Sequence, residues 1–225
     1  MTEKHEKSTE VRPKALRSRC LGRIVSLGLL VLMIGAGYEV IHYQNGNFRI
    51  VVPNRIYRSG QAKMEQYKRW IEQYHIETVV NLRGDAGQQT RDERALFEDM
   101  NVTYCQMEGV SAYRIPDSNV LKALIEMLES VKPPVLIHCR HGVDRSGTVS
   151  ALACMALEGR PYPVARREAF VMPGPWKRRG LDGQHISDLF TLYDHYCLVQ
   201  GQEPKGWEHF KHWALDIYPS EKQSH

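Results

Sequence analysis

His138-Cys139-Arg140-His141-Gly142-Val143-Asp144-Arg145-Ser146-Gly147 is the stretch from which the rest of this 225-residue chain is best read. It follows Val135-Leu136-Ile137, an apolar run after Pro133-Pro134 that predicts a buried strand. It precedes Thr148 to Leu157, whose Ala, Leu and Met content predicts a helix. The order is strand, tight loop, helix. A loop that ends at a helix N-terminus aims several backbone N–H groups and the positive end of the helix dipole at one point, which makes an anion site. Cys139 opens this loop and Arg145 closes it. The field that would hold an oxyanion also favours a thiolate over a thiol, which makes Cys139 a candidate nucleophile. The planar fork of Arg145 suits two oxygens of one tetrahedral anion.

Cys, five residues, Arg, then Ser-Gly resembles the signature of the cysteine-dependent protein tyrosine and dual-specificity phosphatases, closest to the small atypical dual-specificity members. The resemblance covers roughly Arg55 to Met172. It implies a phosphocysteine intermediate on Cys139, with phosphate held by Arg145 and the loop N–H groups. Ser146 would donate to the thiolate and assist breakdown of the intermediate. Arg140, His141, Gly142, Val143 and Asp144 would line the substrate-binding loop, and His138 would orient that loop through hydrogen bonds. Arg140 and His141 add positive character that suits highly anionic substrates, such as inositol phosphates, pyrophosphates or phosphoinositides, as well as phosphoproteins; Asp144 pulls the other way. No cofactor and no metal are expected, because thiolate, acid and anion cradle suffice. Adjacent ligands such as His138 and Cys139 also point to opposite faces of a strand. The same residues leave other readings open: a phosphate-binding loop without turnover, a buried structural cysteine, or another thiolate enzyme of the arsenate reductase or sulfurtransferase kind.

The chemistry needs a group to protonate the leaving oxygen, and the resemblance places it on a loop before the nucleophile strand. Glu108 and Asp117 are the carboxylates available there. Ile115-Pro116-Asp117 resembles the corresponding loop of plant and fungal atypical dual-specificity phosphatases that cleave inositol pyrophosphates, so Asp117 is the first candidate. An Asp after Pro and before a helix is also a good N-cap, and that reading stands beside the catalytic one.

Outward from the loop, strand and helix patterns alternate. Phe48 to Val52, Arg55 to Gln61, Thr78 to Arg83 and Val102 to Met107 predict strands. Lys63 to Tyr74, with Met64, Tyr67, Trp70 and Ile71 on one face, predicts a covering helix, as do Arg91 to Met100 and Asn119 to Ser130. Pro163 to Met172, His185 to Val199 and Trp207 to Ile217 predict three more, the second with Leu189, Leu192, Tyr193 and Tyr196 turned inward. This pattern means an α/β fold with a mostly parallel central sheet flanked by helices, its ligand beyond the carboxyl ends of the strands. Arg83 ends one strand near that edge, with a structural ion pair as its main reading and contact with the site as the other. Trp176-Lys177-Arg178-Arg179 reads as a solvated basic loop, with contact to a second phosphate or a membrane surface as the rival.

Net charge is +4, and residues 1–23 hold seven Lys/Arg against three Glu, so the remainder is balanced. Nothing in that balance argues for a nucleic-acid partner. Four segments are expected: a basic tail over 1–23, a membrane anchor over 24–43, a phosphatase domain over 47–200 and a helical extension over 201–225. Ile24 to Tyr38 has no charged residue, and counted from Leu21 to Tyr43 it is long enough for a spanning helix. A signal peptide and a buried core helix are the rival readings. An anchor would leave the tail cytoplasmic and the domain on the opposite side. Five cysteines leave at least one unpaired, and no disulfide is expected.

Overall fold

The computed structural model describes residues 23–35, 37, 45–170 and 179–218. The chain divides into two units, Met1–His42 and Tyr43–His225.

In the first unit, residues 23–35 form a helix, α1, with Ile24, Leu27, Val31 and Ile34 exposed. Among the described residues no helix is long and apolar enough to cross a membrane. The anchor expected over 24–43 is therefore not supported by the described residues; residues 36 and 38–43 of that segment lie outside them.

The second unit is built on a five-stranded sheet. Its elements run β1 (Arg49–Val52), β2 (Ile56–Ser59), α2 (Met64–Tyr74), β3 (Thr78–Asn81), α3 (Gln88–Asp99), β4 (Thr103–Gln106), α4 (Ser118–Ser130), β5 (Val135–His138) and α5 (Asp144–Glu158). A short α6 (Tyr162–Ala165) passes into a 3-10 segment (Arg166–Phe170), and α7 (Asp188–Val199) and α8 (Trp207–His212) follow, the last continuing as a π turn (Trp213–Ile217). The sheet order is β1-β2-β5-β3-β4. Only the edge hairpin β1–β2 is antiparallel; β2, β5, β3 and β4 run parallel.

Alternation along the strands gives the sheet two apolar faces. Tyr57, Val79 and Leu136 face one cluster with Tyr67, Trp70, Ile71, Leu96 and Phe97 of α2 and α3. Ile56, Val80, Val135 and Ile137 face the larger cluster, with Leu121, Leu124 and Leu128 of α4 and Val149 and Leu152 of α5. Phe190, Phe210, Trp213 and Tyr218 belong to this second cluster, so the C-terminal helices pack into the main core. Parallel strands buried on both faces are near-continuously apolar, as in β5, where all four residues are buried and only His138 is polar.

Three elements differ from their sequence expectation. Helix α5 starts at Asp144, four residues before the predicted Thr148, so Arg145 and Ser146 lie in its first turn. Gly147 hides this start, because glycine weakens a helix by about 1 kcal/mol in isolation; here a Cβ would meet the Glu168 carbonyl at 2.9 Å. The predicted helix from Pro163 becomes α6 plus a 3-10 segment, and residues 171–178, including Trp176 to Arg178, lie outside the described residues. In α7 the buried face is Leu189, Phe190, Tyr193 and Cys197 rather than the face with Leu192 and Tyr196.

Candidate active site

Strand β5 lies in the middle of the sheet, with Ser59 of β2 and Asn81 of β3 both in register with His138. The chain leaves this central strand at Cys139 and closes on α5 within five residues, so the loop sits at the carboxyl edge of the parallel strands. The edge of β2 clamps it from below. Cys139 N–H donates to the Ser59 carbonyl at 3.3 Å, and Gln61 N–H to the Arg140 carbonyl at 3.1 Å. The Asn47 side-chain amide donates to the His141 carbonyl at 2.8 Å.

Gly142 makes this closure possible. Its φ is +72°, and a Cβ there would lie 2.4 Å from the Gly60 nitrogen and 2.7 Å from the Ser59 carbonyl carbon. Gly142→Ala is therefore expected to cost about 2 kcal/mol or more through strain alone. It should also lower kcat/KM by about a hundredfold, because a displacement near 1 Å has that effect on a catalytic constellation. Denaturant unfolding and steady-state kinetics check both; a variant with wild-type stability would show that the loop relaxes freely.

An N–H donor and a hydroxyl approach the Cys139 sulfur. Gly142 N–H donates to Sγ at 3.2 Å, and the Ser146 Oγ lies 3.4 Å from it. Arg145 reaches out of the first turn of α5, where its Nη1 donates to the Leu82 carbonyl at 2.9 Å and the Val110 carbonyl at 3.5 Å. Cys139, Arg140, His141, Asp144 and Arg145 line one side of a cleft of about 390 Å³, and residues Gly109 to Tyr113 line the other. Gly142 and Val143 do not line it; Gly142 is buried against β2, and Val143 is the residue before α5.

Neither carboxylate expected upstream lines the cleft. Asp117 caps α4, its Oδ1 accepting from Val120 N–H at 3.0 Å. Glu108 Oε1 accepts from Asp85 N–H at 3.1 Å and from the Gln106 amide at 2.6 Å. Asp117→Ala should then destabilise the fold by about 1 kcal/mol, with Asp117→Asn near neutral. Equal urea midpoints for both variants and wild type would remove the capping role. Arg83 donates to Gln89 Oε1 at 3.0 Å and is not part of the cleft lining.

Beneath the loop lies a buried polar cluster that sequence reasoning reached only at His138. Tyr67 Oη lies 3.2 Å from His138 Nδ1 and 3.3 Å from Glu93 Oε1. Glu93 also accepts from Tyr104 at 3.1 Å and from the Gln61 side chain. Burial, with the charge of Arg83, pushes His138 down to about 3, and burial pushes the Glu93 carboxyl up. The unfolded-state His pKa near 6.5 lies above the folded one, so His138 supports the fold fully above about pH 6.5 and progressively less as pH falls toward 3. Glu93 acts in the opposite direction, its contribution being lost as pH rises through its folded value. The expected result is a stability that falls below about pH 6.5 by at most roughly 1.4 kcal/mol per unit, partly offset by Glu93. Urea unfolding across this range tests it, and His138→Gln should flatten the slope.

Arg58 is a further buried charge that the sequence did not single out. Its Nη1 donates to the Glu168 carbonyl at 3.0 Å and lies 3.6 Å from Glu168 Oε2. Desolvation lowers its pKa, and the fields of Glu168 and Cys139 oppose that fall. An arginine inside a short strand carries no local signal of burial. Nor does any local signal reveal that Leu82 and Val110 offer their carbonyls to Arg145, since these partners are 63 and 35 residues away.

A family model described as PTP-SAK, Swiss Army Knife protein, DSP-PTPase phosphatase domain, matches residues 45–186. Among solved structures, the chain is similar to the core catalytic domain of the PP-IP phosphatase SIW14 from S. cerevisiae in complex with citrate. That match has 24% identity and a TM-score of 0.45, covering 68% of this chain and 89% of that one. It is also similar to TpbA from P. aeruginosa in complex with pTyr, at 24% identity and a TM-score of 0.41, covering 54% of this chain and 76% of that one.

Proposed function

The chain belongs to the DSP-PTPase phosphatase domain family, and from that premise we propose that it hydrolyses phosphate monoesters through a phosphocysteine on Cys139. One observation carries this reading: Gly142 N–H, Ser146 Oγ and the Cys139 sulfur meet at the cleft that Arg145 also lines. The thiolate attacks phosphorus from that position, and the S–P bond forms as the bond to the leaving oxygen breaks. Arg145 and the loop N–H groups hold the equatorial oxygens, where charge develops. Held by the Leu82 carbonyl, the guanidinium keeps its fork in place without substrate, so little ordering is left to occur at the moment of reaction. Ser146 then stabilises the sulfur anion that departs when water attacks the phosphocysteine.

Arg140 and His141 line the cleft and are exposed, which favours substrates carrying more than one phosphate or another anionic group. Phosphotyrosine and inositol pyrophosphate, ligand and substrate named for similar proteins, both belong to the accessible class. The test is rapid quench of the enzyme with substrate, followed by peptide mass spectrometry. A peptide containing Cys139 should carry one added phosphoryl group, and its absence during active turnover would refute the covalent route. Parallel turnover of a phosphotyrosine peptide, inositol hexakisphosphate and a phosphoinositide ranks the substrates.

A further inference from the structure

We propose that Asp144, positioned by His185, is the carboxyl group that protonates the leaving oxygen and then accepts the proton of the hydrolytic water. The assignment rests on the phosphocysteine reading above. Among the described residues lining the cleft with Cys139 and Arg145, Asp144 supplies the one carboxyl group, whereas Asp117 is occupied as a helix cap and Glu108 by Asp85 and Gln106.

Its orientation is built by a distant segment. His185 is fully buried and its Nε2 lies 3.1 Å from Asp144 Oδ1. Ser187 N–H donates into His185 Nδ1 at 3.1 Å. That bond needs the lone pair on Nδ1, so the ring proton sits on Nε2 and is donated to Asp144. The second carboxyl oxygen of Asp144 has no hydrogen-bond partner among the described residues. Ile186 N–H donates to the Ala112 carbonyl at 3.1 Å, and the Gln184 side chain accepts from Ile115 N–H at 3.3 Å. The segment that carries His185 is thus tied to the opposite wall of the cleft, and Asp144 bridges the two walls.

In the first step the Cys139 thiolate forms the S–P bond, the P–O bond breaks, and its electron pair goes to the leaving oxygen, which takes the proton of the Asp144 carboxylic acid. In the second step the Asp144 carboxylate takes a proton from water, the water oxygen bonds to phosphorus, and the P–S pair returns to sulfur, releasing inorganic phosphate and restoring the acid. Among the described residues, the charged and titratable groups sharing the cleft with Asp144 are Tyr113, Cys139, Arg140, His141 and Arg145, with His185 behind it.

The test compares kcat/KM, across pH, for p-nitrophenyl phosphate and phenyl phosphate, whose leaving groups need the proton little and much. In Asp144→Asn the ratio between the two should widen by about tenfold or more, and the basic limb of the wild-type profile should disappear. Asp117→Asn should keep the wild-type ratio. His185→Phe should widen the ratio, and His185→Gln, which retains an N–H donor, should restore part of it. These two variants carry the same readout if Asp144→Asn does not fold. A wild-type ratio and basic limb in Asp144→Asn overturn the assignment, as does a widened ratio in Asp117→Asn. Wild-type enzyme inactive on both esters, or Cys139→Ser as active as wild type, overturns instead the phosphocysteine reading on which it rests.

Discussion

Cys139→Ser is expected to reduce p-nitrophenyl phosphate turnover to background while leaving the fold and the phosphate cradle in place. Serine is smaller by the sulfur-to-oxygen exchange alone, and the site it enters is already polar: the Gly142 N–H and Ser146 Oγ that approach the sulfur can both bond a hydroxyl. Stability should therefore change by less than about 1.5 kcal/mol, the range for near-isosteric replacement. Chemistry should not survive. A hydroxyl is hardly ionised at neutral pH, and an alcohol gives up its proton far less readily than a thiol, so the serine stays neutral where the cysteine supplies a thiolate. Without an activated nucleophile the covalent route closes. Residual catalysis would come only from binding and anion stabilisation, on the order of 10³-fold over water by analogy with nucleophile-deleted hydrolases. Retained affinity for vanadate or inorganic phosphate, measured by calorimetry, should accompany the loss. Turnover within about tenfold of wild type would show that Cys139 is not the attacking group.

The loop was legible because its information is local. An apolar run, a Cys, a glycine that must take positive φ, and an Arg six places after the Cys are all within ten residues, and strand-to-helix loops are built from such short-range signals. The parallel sheet was legible for a related reason: β3 reads as a strand from its β-branched run and β5 from the apolar run Val135-Leu136-Ile137. What stayed hidden depends on residues far apart in the chain. Nothing near Leu82 announces that its carbonyl receives Arg145, and nothing near His185 announces that it faces Asp144, 41 residues away. Arg58 looks like any strand arginine until α5 and the 3-10 segment bury it against Glu168. Asp117 shows the opposite difficulty: one local pattern, Pro-Asp before a helix, serves both a cap and a catalytic loop, and only the third dimension shows its carboxylate on Val120 N–H.

Arg145→Lys tests how much of the rate depends on a planar fork rather than on a positive charge. The guanidinium has two tasks at once. One edge is held by the Leu82 carbonyl at 2.9 Å, with Val110 at 3.5 Å, and its remaining N–H donors are available to two phosphoryl oxygens. Five donors in one plane allow both tasks without reorganisation. A lysine ammonium is a compact point charge with three donors on a shorter, flexible stem, so it satisfies the Leu82 carbonyl or the phosphoryl group but not both in the same geometry. In the first case the phosphate loses its bidentate partner; in the second the buried carbonyl loses its donor, at a cost of about 1–3 kcal/mol. Loss of one donor aimed at developing charge lowers kcat by roughly 10² to 10³, and the same range is expected here. KM should move far less, because charge on the equatorial oxygens is already matched in the bound ground state while the planar arrangement of the transition state is not. Steady-state kinetics on p-nitrophenyl phosphate separate the two parameters. A fall in kcat below about tenfold, with KM raised in proportion to the loss in kcat/KM, would mean that Arg145 acts as a binding charge only and that the held fork is not what stabilises the transition state.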